Sequence, residues 1–268
     1  MKLFGCALAF AAALTAAEAS AQATDGLELG LQAFAYDYEE TFEGGSVGDE
    51  GRFGGFTVEY GRRLGRLSFD ARFRYGEGRV DYSASDGARL DDVQQSSGQL
   101  ELLAGWPLAA SPTLTVTPYL GLGSRVLLDE SGGRETAEGL QGYDREVAYA
   151  YVPLGAAVRF ARQNGGALVL HGQVNLLAGG HVESDFRPLD PGAPLLETEL
   201  DGGHGLEFGA SLQTPFRGGR IGFGPFIRYW DIDPSNSVVF RDEDLGVIEF
   251  FEPANRTLEL GVKLTYGF

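Results

Sequence analysis

The sequence predicts an all-β chain folded as a transmembrane, antiparallel, up-and-down β-barrel of ten strands. Three observations predict it. Apolar and polar residues alternate with period two through most of the chain. The connections between the alternating segments are short and long in turn. Aromatic residues on the apolar faces gather at one end of the strands.

The alternation is clearest in LSFDARFRY, residues 67–75. Leu67, Phe69, Ala71, Phe73 and Tyr75 share one face, and Ser68, Asp70, Arg72 and Arg74 share the other. A soluble core would have to desolvate that second face, with its three charges in a single strand. Ten such segments are read at 27–39, 52–61, 67–79, 95–106, 113–127, 145–160, 167–179, 204–214, 220–231 and 256–268. Each can cross a bilayer as a tilted strand, which takes about 9–11 residues. Short connections fall at 62–66, 107–112, 161–166 and 215–219. Long ones are expected at 40–51, 80–94, 128–144, 180–203 and 232–255. That pattern puts both termini on the short-turn side.

Every second strand then runs toward the short turns. Following their apolar faces to that end reaches Tyr60, Trp106, Phe160, Phe216 and Phe268. A ring of outward aromatics at one level is expected of a membrane–water boundary, where amphipathic rings prefer to sit. Tyr75 and Tyr229 are candidates for the opposite ring.

The start of the chain reads as a targeting segment. Met1 and Lys2 precede an apolar run from Leu3 to Ala17, followed by Ala19-Ser20-Ala21. This is the layout of a secretory signal peptide over residues 1–21, leaving one barrel over 22–268. Ala19 and Ala23 are alternative cleavage points. Cys6 is the only cysteine, and most of the apolar run lies after it rather than before it, so a lipoprotein site is rejected and the barrel would carry no disulfide. The net charge of −17 excludes nucleic acid as a partner.

These residues resemble those of small Gram-negative outer-membrane β-barrels. The signal segment, the alternating strands and the terminal Leu260-x-Val262-x-Leu264-x-Tyr266-x-Phe268 carry the resemblance, which spans the whole mature chain. TPYLGLGSRVLLDE (117–130) and GYDREVAYAYVPLGAAVRF (142–160) are similar to a group of such proteins without an assigned activity. The resemblance implies residence in the cell outer membrane, among its lipid and lipopolysaccharide. It implies that Leu264, Tyr266 and Phe268 form the signal read by the barrel-assembly machinery. It implies no chemistry.

If Leu258, Leu260 and Val262 face lipid, the opposite parity faces the lumen. The expected lumen charges are Glu28, Glu59, Asp70, Glu101, Glu207 and Glu259 against Arg72, Arg74, Arg125, Arg145, Arg159, Arg228 and Lys263, with His171 among them. Tyr119, Tyr149, Tyr151, Gln99, Gln173, Asn175 and Trp230 add bulk and hydrogen-bonding groups. A barrel of about eight strands is just filled by side chains, and ten is little wider. The charges should therefore pair as a plug, and a narrow hydrophilic channel is the second reading. The acidic excess is assigned to solvated loops, among them Asp49, Asp129 and Glu252.

No enzyme is expected. His181 and His204 flank the fourth long connection with Glu183, Asp185 and Asp201 near them, and Asp91-Asp92 lies in the second. This faintly resembles the rim Asp–His site of the ten-stranded omptin proteases, but the Asp–His spacing differs and the strands read as too short for that tall barrel. No His–Ser pair on one strand face points to a lipid-modifying hydrolase. No clustered His or Cys points to a metal, and no acidic loop matches a calcium cage. GLGSR (121–125) and GFGPF (222–226) place glycines inside strands, so no phosphate cradle or cofactor follows.

Overall fold

The computed structural model describes residues 25–136, 139, 141–187, 195–242 and 246–268. The expected signal peptide lies outside the described residues. The chain is all-β. In order, the strands are β1 (Gly26–Phe42), β2 (Gly45–Leu64), β3 (Leu67–Ala84), β4 (Arg89–Gly105), β5 (Leu108–Ser111), β6 (Leu114–Glu130) and β7 (Asp144–Ala161). They continue as β8 (Ala167–Asp185), β9 (Leu195–Leu200), β10 (Gly203–Phe216), β11 (Gly219–Ile232), β12 (Val238–Asp242), β13 (Gly246–Phe250) and β14 (Ala254–Gly267).

Ten of these form the staves of a closed antiparallel barrel. Around the wall the order is β1-β2-β3-β4-β6-β7-β8-β10-β11-β14. The circle closes because β14 pairs with β11 on one edge and with β1 on the other, from Glu28↔Gly267 to Thr41↔Ala254. β9 continues the β10 stave along the upper part of β8. β5 is a short addition beside β6, within the expected turn at 107–112, and β12 and β13 form a separate hairpin in the last long connection. In the turn between β10 and β11, Arg217 and Gly218 both have positive φ (48° and 82°), the geometry that matches strand twist in a two-residue hairpin.

Closure is dictated by the surroundings of the wall. Each strand end left unpaired in hydrocarbon would strand backbone N–H and C=O groups with no water to satisfy them. The outer surface shows what those surroundings are. Leu31 is 66% exposed, and Leu122 and Leu260 are comparably bare. Such residues are the outward half of each alternation and form a continuous apolar belt. Tyr60, Trp106, Phe160, Phe216 and Phe268 are exposed and outward at the turn end. The Phe268 N–H donates to the Leu27 carbonyl, and Leu27 stands opposite Tyr60.

The strands are longer than the alternation predicts. β1 and β2 are joined by Glu43 and Gly44 alone, and β3 and β4 by residues 85–88, so the expected loops at 40–51 and 80–94 are mostly strand. Seventeen residues at about 3.3 Å each, tilted by roughly 45°, give a wall about 40 Å tall. Its upper part stands clear of the hydrocarbon. There the outer face is polar too, with Asp37 and Glu39 on β1, Glu50 and Arg52 on β2, and Glu77, Arg79 and Asp81 on β3 all exposed. A strand with water on one side and polar lumen groups on the other loses its hydropathy alternation, and so reads as loop.

The depth of the belt makes a prediction on one strand face. Leu31→Arg places a charge in the apolar belt and should cost about 2–4 kcal/mol, whereas Glu39→Arg on the same face but above it should cost under about 1 kcal/mol. Denaturant unfolding in phospholipid bilayers measures both; equal costs would remove the membrane boundary drawn between them.

Candidate functional site

Side-chain alternation turns one residue in two inward, and the lumen is where the chain's buried charges meet. Arg74 on β3 reaches across to Glu207 on β10 at 2.6 Å and to Glu101 on β4 at 3.0 Å. Arg228 on β11 pairs with Glu259 on β14 at 2.6 Å, and Arg125 on β6 reaches the same carboxylate at 2.9 Å. Lys263 pairs with Glu59 at 2.6 Å, with Arg72 3.8 Å from the other Glu59 oxygen. His171 lies 3.1 Å from Glu207. Tyr151 donates to Glu101 at 3.0 Å, and Gln173 donates to the same oxygen at 2.7 Å. Gln32 accepts from Arg228 and donates to the Tyr75 carbonyl.

These groups form one network tying opposite walls together. Glu101 has no exposed surface at all. An ion pair so placed repays desolvation only while every partner is present. Removing one partner typically costs about 3–5 kcal/mol, because the other charge is left buried and bare.

Of the expected lumen residues, Glu101, Arg125 and Glu259 are buried, Arg145 nearly so, and the others line the turn-end cavity, but they do not gather into one set. Glu28 and Asp70 line the turn-end half of the lumen and form no ion pair among the described residues. Arg159 has no carboxylate partner there either and donates to Gln213 at 2.7 Å. Arg145 belongs to a separate clasp at the loop end, between Glu40 and Glu252 (2.7 Å). Tyr38 donates to Glu40 at 2.7 Å and lies under the Arg145 guanidinium. A third group joins Gln95 to Asp49 at 2.8 Å and Asp129 at 2.9 Å.

Here the sequence reading needs correction. Asp49 and Glu252 were expected in solvated loops, but both are buried. An acidic residue in a polar stretch carries no local mark of burial. Only the long β2 wall turns Asp49 inward, and only the return of the chain before β14 lays Glu252 over the mouth.

Between clasp and network, aromatic side chains fill the bore. Phe34 stacks on Phe53 at 5.2 Å, and Trp230 meets Tyr149 and Tyr151 edge-on at 5.1 and 5.0 Å. Two glycines make the room. A Cβ on Gly205 would lie 2.7 Å from the Trp230 ring, and one on Gly123 would lie 2.3 Å from the Tyr151 ring. Below the network the bore opens into a cavity of 270 Å³ bounded by Asp25, Pro107 and Thr113 at the turn end.

The histidines outside the lumen do not assemble a site. His204 is exposed on the outer face of β10 opposite Asp231, with Tyr229 6.5 Å away. His181 lies within β8 rather than in a loop, opposite Glu199. A register shift in the β7–β8 pairing, near Ala150 and Tyr151, places it on the outer wall, since Val182 and Ser184 point inward. Asp92 pairs with Arg79 on β3, and β4 stands four places from β10 around the wall, so Asp91-Asp92 and His204 do not converge. Among the described residues no three His, Cys, Asp or Glu side chains group as a metal site.

The clasp titrates. Glu252 lies outside the barrel strands; burial, opposed by Arg145 and reinforced by Glu40, pushes its carboxyl up to about 7 from the ordinary 4.5. The protonated acid is therefore favoured in the closed state. The stabilisation is complete below the ordinary value and is lost as pH rises through about 7, where Glu40 and Glu252 would share Arg145 as two anions. The Ser235 and Glu252 amides, bonded to the Glu252 carbonyl and the Ser235 hydroxyl, should lose exchange protection between about pH 6 and 8. Glu252→Gln should flatten that profile, and a profile unchanged by it would exclude Glu252 as the titrating group.

No protein-family model and no curated protein sequence matches this chain. Solved structures do. The outer-membrane protease OmpT of Escherichia coli aligns with a TM-score of 0.58 at 10% identity, over 91% of this chain and 97% of that one. The transport unit of the autotransporter AIDA-I from Escherichia coli aligns at 0.43 and 7% identity, over 94% and 93%. The toluene transporter TodX of Pseudomonas putida aligns at 0.36 and 11%, over 91% and 90%. The strands are longer than the short ones read from the sequence, with staves of 14–20 residues, and the likeness to OmpT is one of fold. The chain has the fold of the Gram-negative outer-membrane β-barrels.

Proposed function

We propose that this protein is a non-enzymatic barrel of the outer membrane, exported by its signal peptide, with a lumen sealed by its own side chains and acidic loops presented outside. Its partners are the outer-membrane lipid and lipopolysaccharide, and during insertion the barrel-assembly machinery. One observation carries the reading: the aromatic layer and the ion-pair network together fill the bore between the clasp and the turn-end cavity. Trp230 and Tyr151 at its centre are each 1% exposed. A filled, cross-linked bore stiffens the wall without admitting solute. The likeness to OmpT is one of fold, and fold leaves function open. The outward His204 speaks against a rim protease here.

The second reading, a small channel, is favoured by the cavity that already opens half of the bore. Planar-bilayer recordings separate the two. The purified barrel should show no steady openings, and Tyr151→Ala combined with Trp230→Ala should produce them. Steady conductance of the unaltered barrel would transfer the proposal to the channel. Deleting Phe268 should lower outer-membrane levels of the protein; undiminished levels would remove it from the assembly signal.

A further inference from the structure

The turn-end cavity is unevenly charged. Arg72, Arg74, Arg228 and Lys263 on its wall each have a carboxylate within 4 Å, the longest of these contacts being 3.8 Å. Arg159 and Arg220 also line it, and neither forms an ion pair among the described residues. Arg159 stands on β7 opposite Thr115 and Val169, and Arg220 on β11 opposite Pro215 and Gly267. They border the same cavity from strands three places apart around the wall. Two guanidinium groups facing one cavity, neither held in an ion pair, repel each other, and an anion between them would relieve that repulsion.

The hydrogen-bond inventory points the same way. The Nε atoms of Arg220, Arg74 and Arg228 and the Ser68 hydroxyl are buried without a partner, and all four residues line the cavity. Such groups are donors, and a guanidinium can only donate. Gln213 already fixes one arm of the Arg159 fork. Ala157, Ala161, Ala210 and Ser211 leave the space between the two arginines open. The cavity's carboxylates without an ion pair are set apart from Arg159: Asp25 and Glu28 lie at the start of β1, five places from β7, and Asp70 on β3 is three places from β7 and four from β11. Glu28 is two places from β11 and is the one acid positioned to compete for Arg220.

We propose that this cavity is a binding site for a small phosphate-class oxyanion, gripped between Arg159 and Arg220 and entering from the turn end. At about 30 Å³ per water the 270 Å³ cavity holds about nine waters, enough for one or two phosphoryl groups and too little for a folded partner. Planar guanidinium forks suit bidentate contact with phosphate oxygens. The site needs no passage through the barrel, so it stands whether or not the bore conducts.

The test is titration calorimetry of the purified barrel in a phosphate-free glycoside detergent, with inorganic phosphate and glycerol phosphate as separate probes. One anion should bind per barrel. Arg159→Gln and Arg220→Gln should each weaken it about tenfold or more. Glu28→Gln should tighten it, and Arg187→Gln, on a loop away from the cavity, should leave it unchanged. Tighter binding of glycerol phosphate would identify the ligand as a phosphate ester, and equal binding as the free ion. If an arginine variant does not fold, phosphate protection of Arg159 and Arg220 from phenylglyoxal in the unaltered protein reads the same contact. No binding, binding indifferent to both arginines, or modification unaffected by phosphate would overturn the proposal.

Discussion

The structure depends on one constraint, that no backbone polar group may end unpaired in the apolar belt. β1 meets it on both edges, through β2 and β14, and the wall closes on itself. Closure sets the circumference, and the circumference sets the bore. A ten-stranded wall is slightly wider than side chains alone fill easily. Large groups therefore occupy it: Trp230, Tyr36, Tyr151 and a set of arginines. Glycines such as Gly205 and Gly123 stand where those rings lean against the wall. The filling is a consequence of the hydrogen-bonded circle and not an independent feature.

The same circle explains why charges are buried. Outward positions in the belt are apolar, so the polar side chains of those strands fall inward. Once inside they are held by geometry that only closure supplies. Arg74 meets Glu207 across 133 residues of sequence, because β3 and β10 face each other across the lumen. A buried ion pair gains little relative to an apolar pair of the same shape, but loss of one partner leaves the other charge buried and bare.

The bore is asymmetric along its axis. Its loop end is shut by aromatics and by the Glu40–Arg145–Glu252 clasp, while its turn end opens into a cavity lined with charged side chains. The upper wall behaves as a water-soluble barrel, polar outside and aromatic within. The lower wall is the inverse, apolar outside and charged within. One strand such as β1 passes through both regimes, from Leu31 out and Gln32 in to Glu39 out and Tyr38 in.

By itself the sequence determined which face each residue of the apolar belt takes. Successive side chains on a strand point to opposite sides as a matter of covalent geometry, and lipid contact sorts the residues by hydropathy. The lumen side of Glu59, Arg74, Glu207 and Glu259 was legible for that reason. Tertiary structure decided the height of the wall, which charges meet, and which remain unpaired. In the upper wall both faces are polar, so hydropathy carries no signal there and Asp49 and Glu252 read as loop residues. Pairing across the lumen depends on circumference and stagger, which belong to the closed barrel and to no single strand. That Arg159 and Arg220 form no ion pair among the described residues is of the same kind: it depends on where the closed wall places the carboxylates around the cavity.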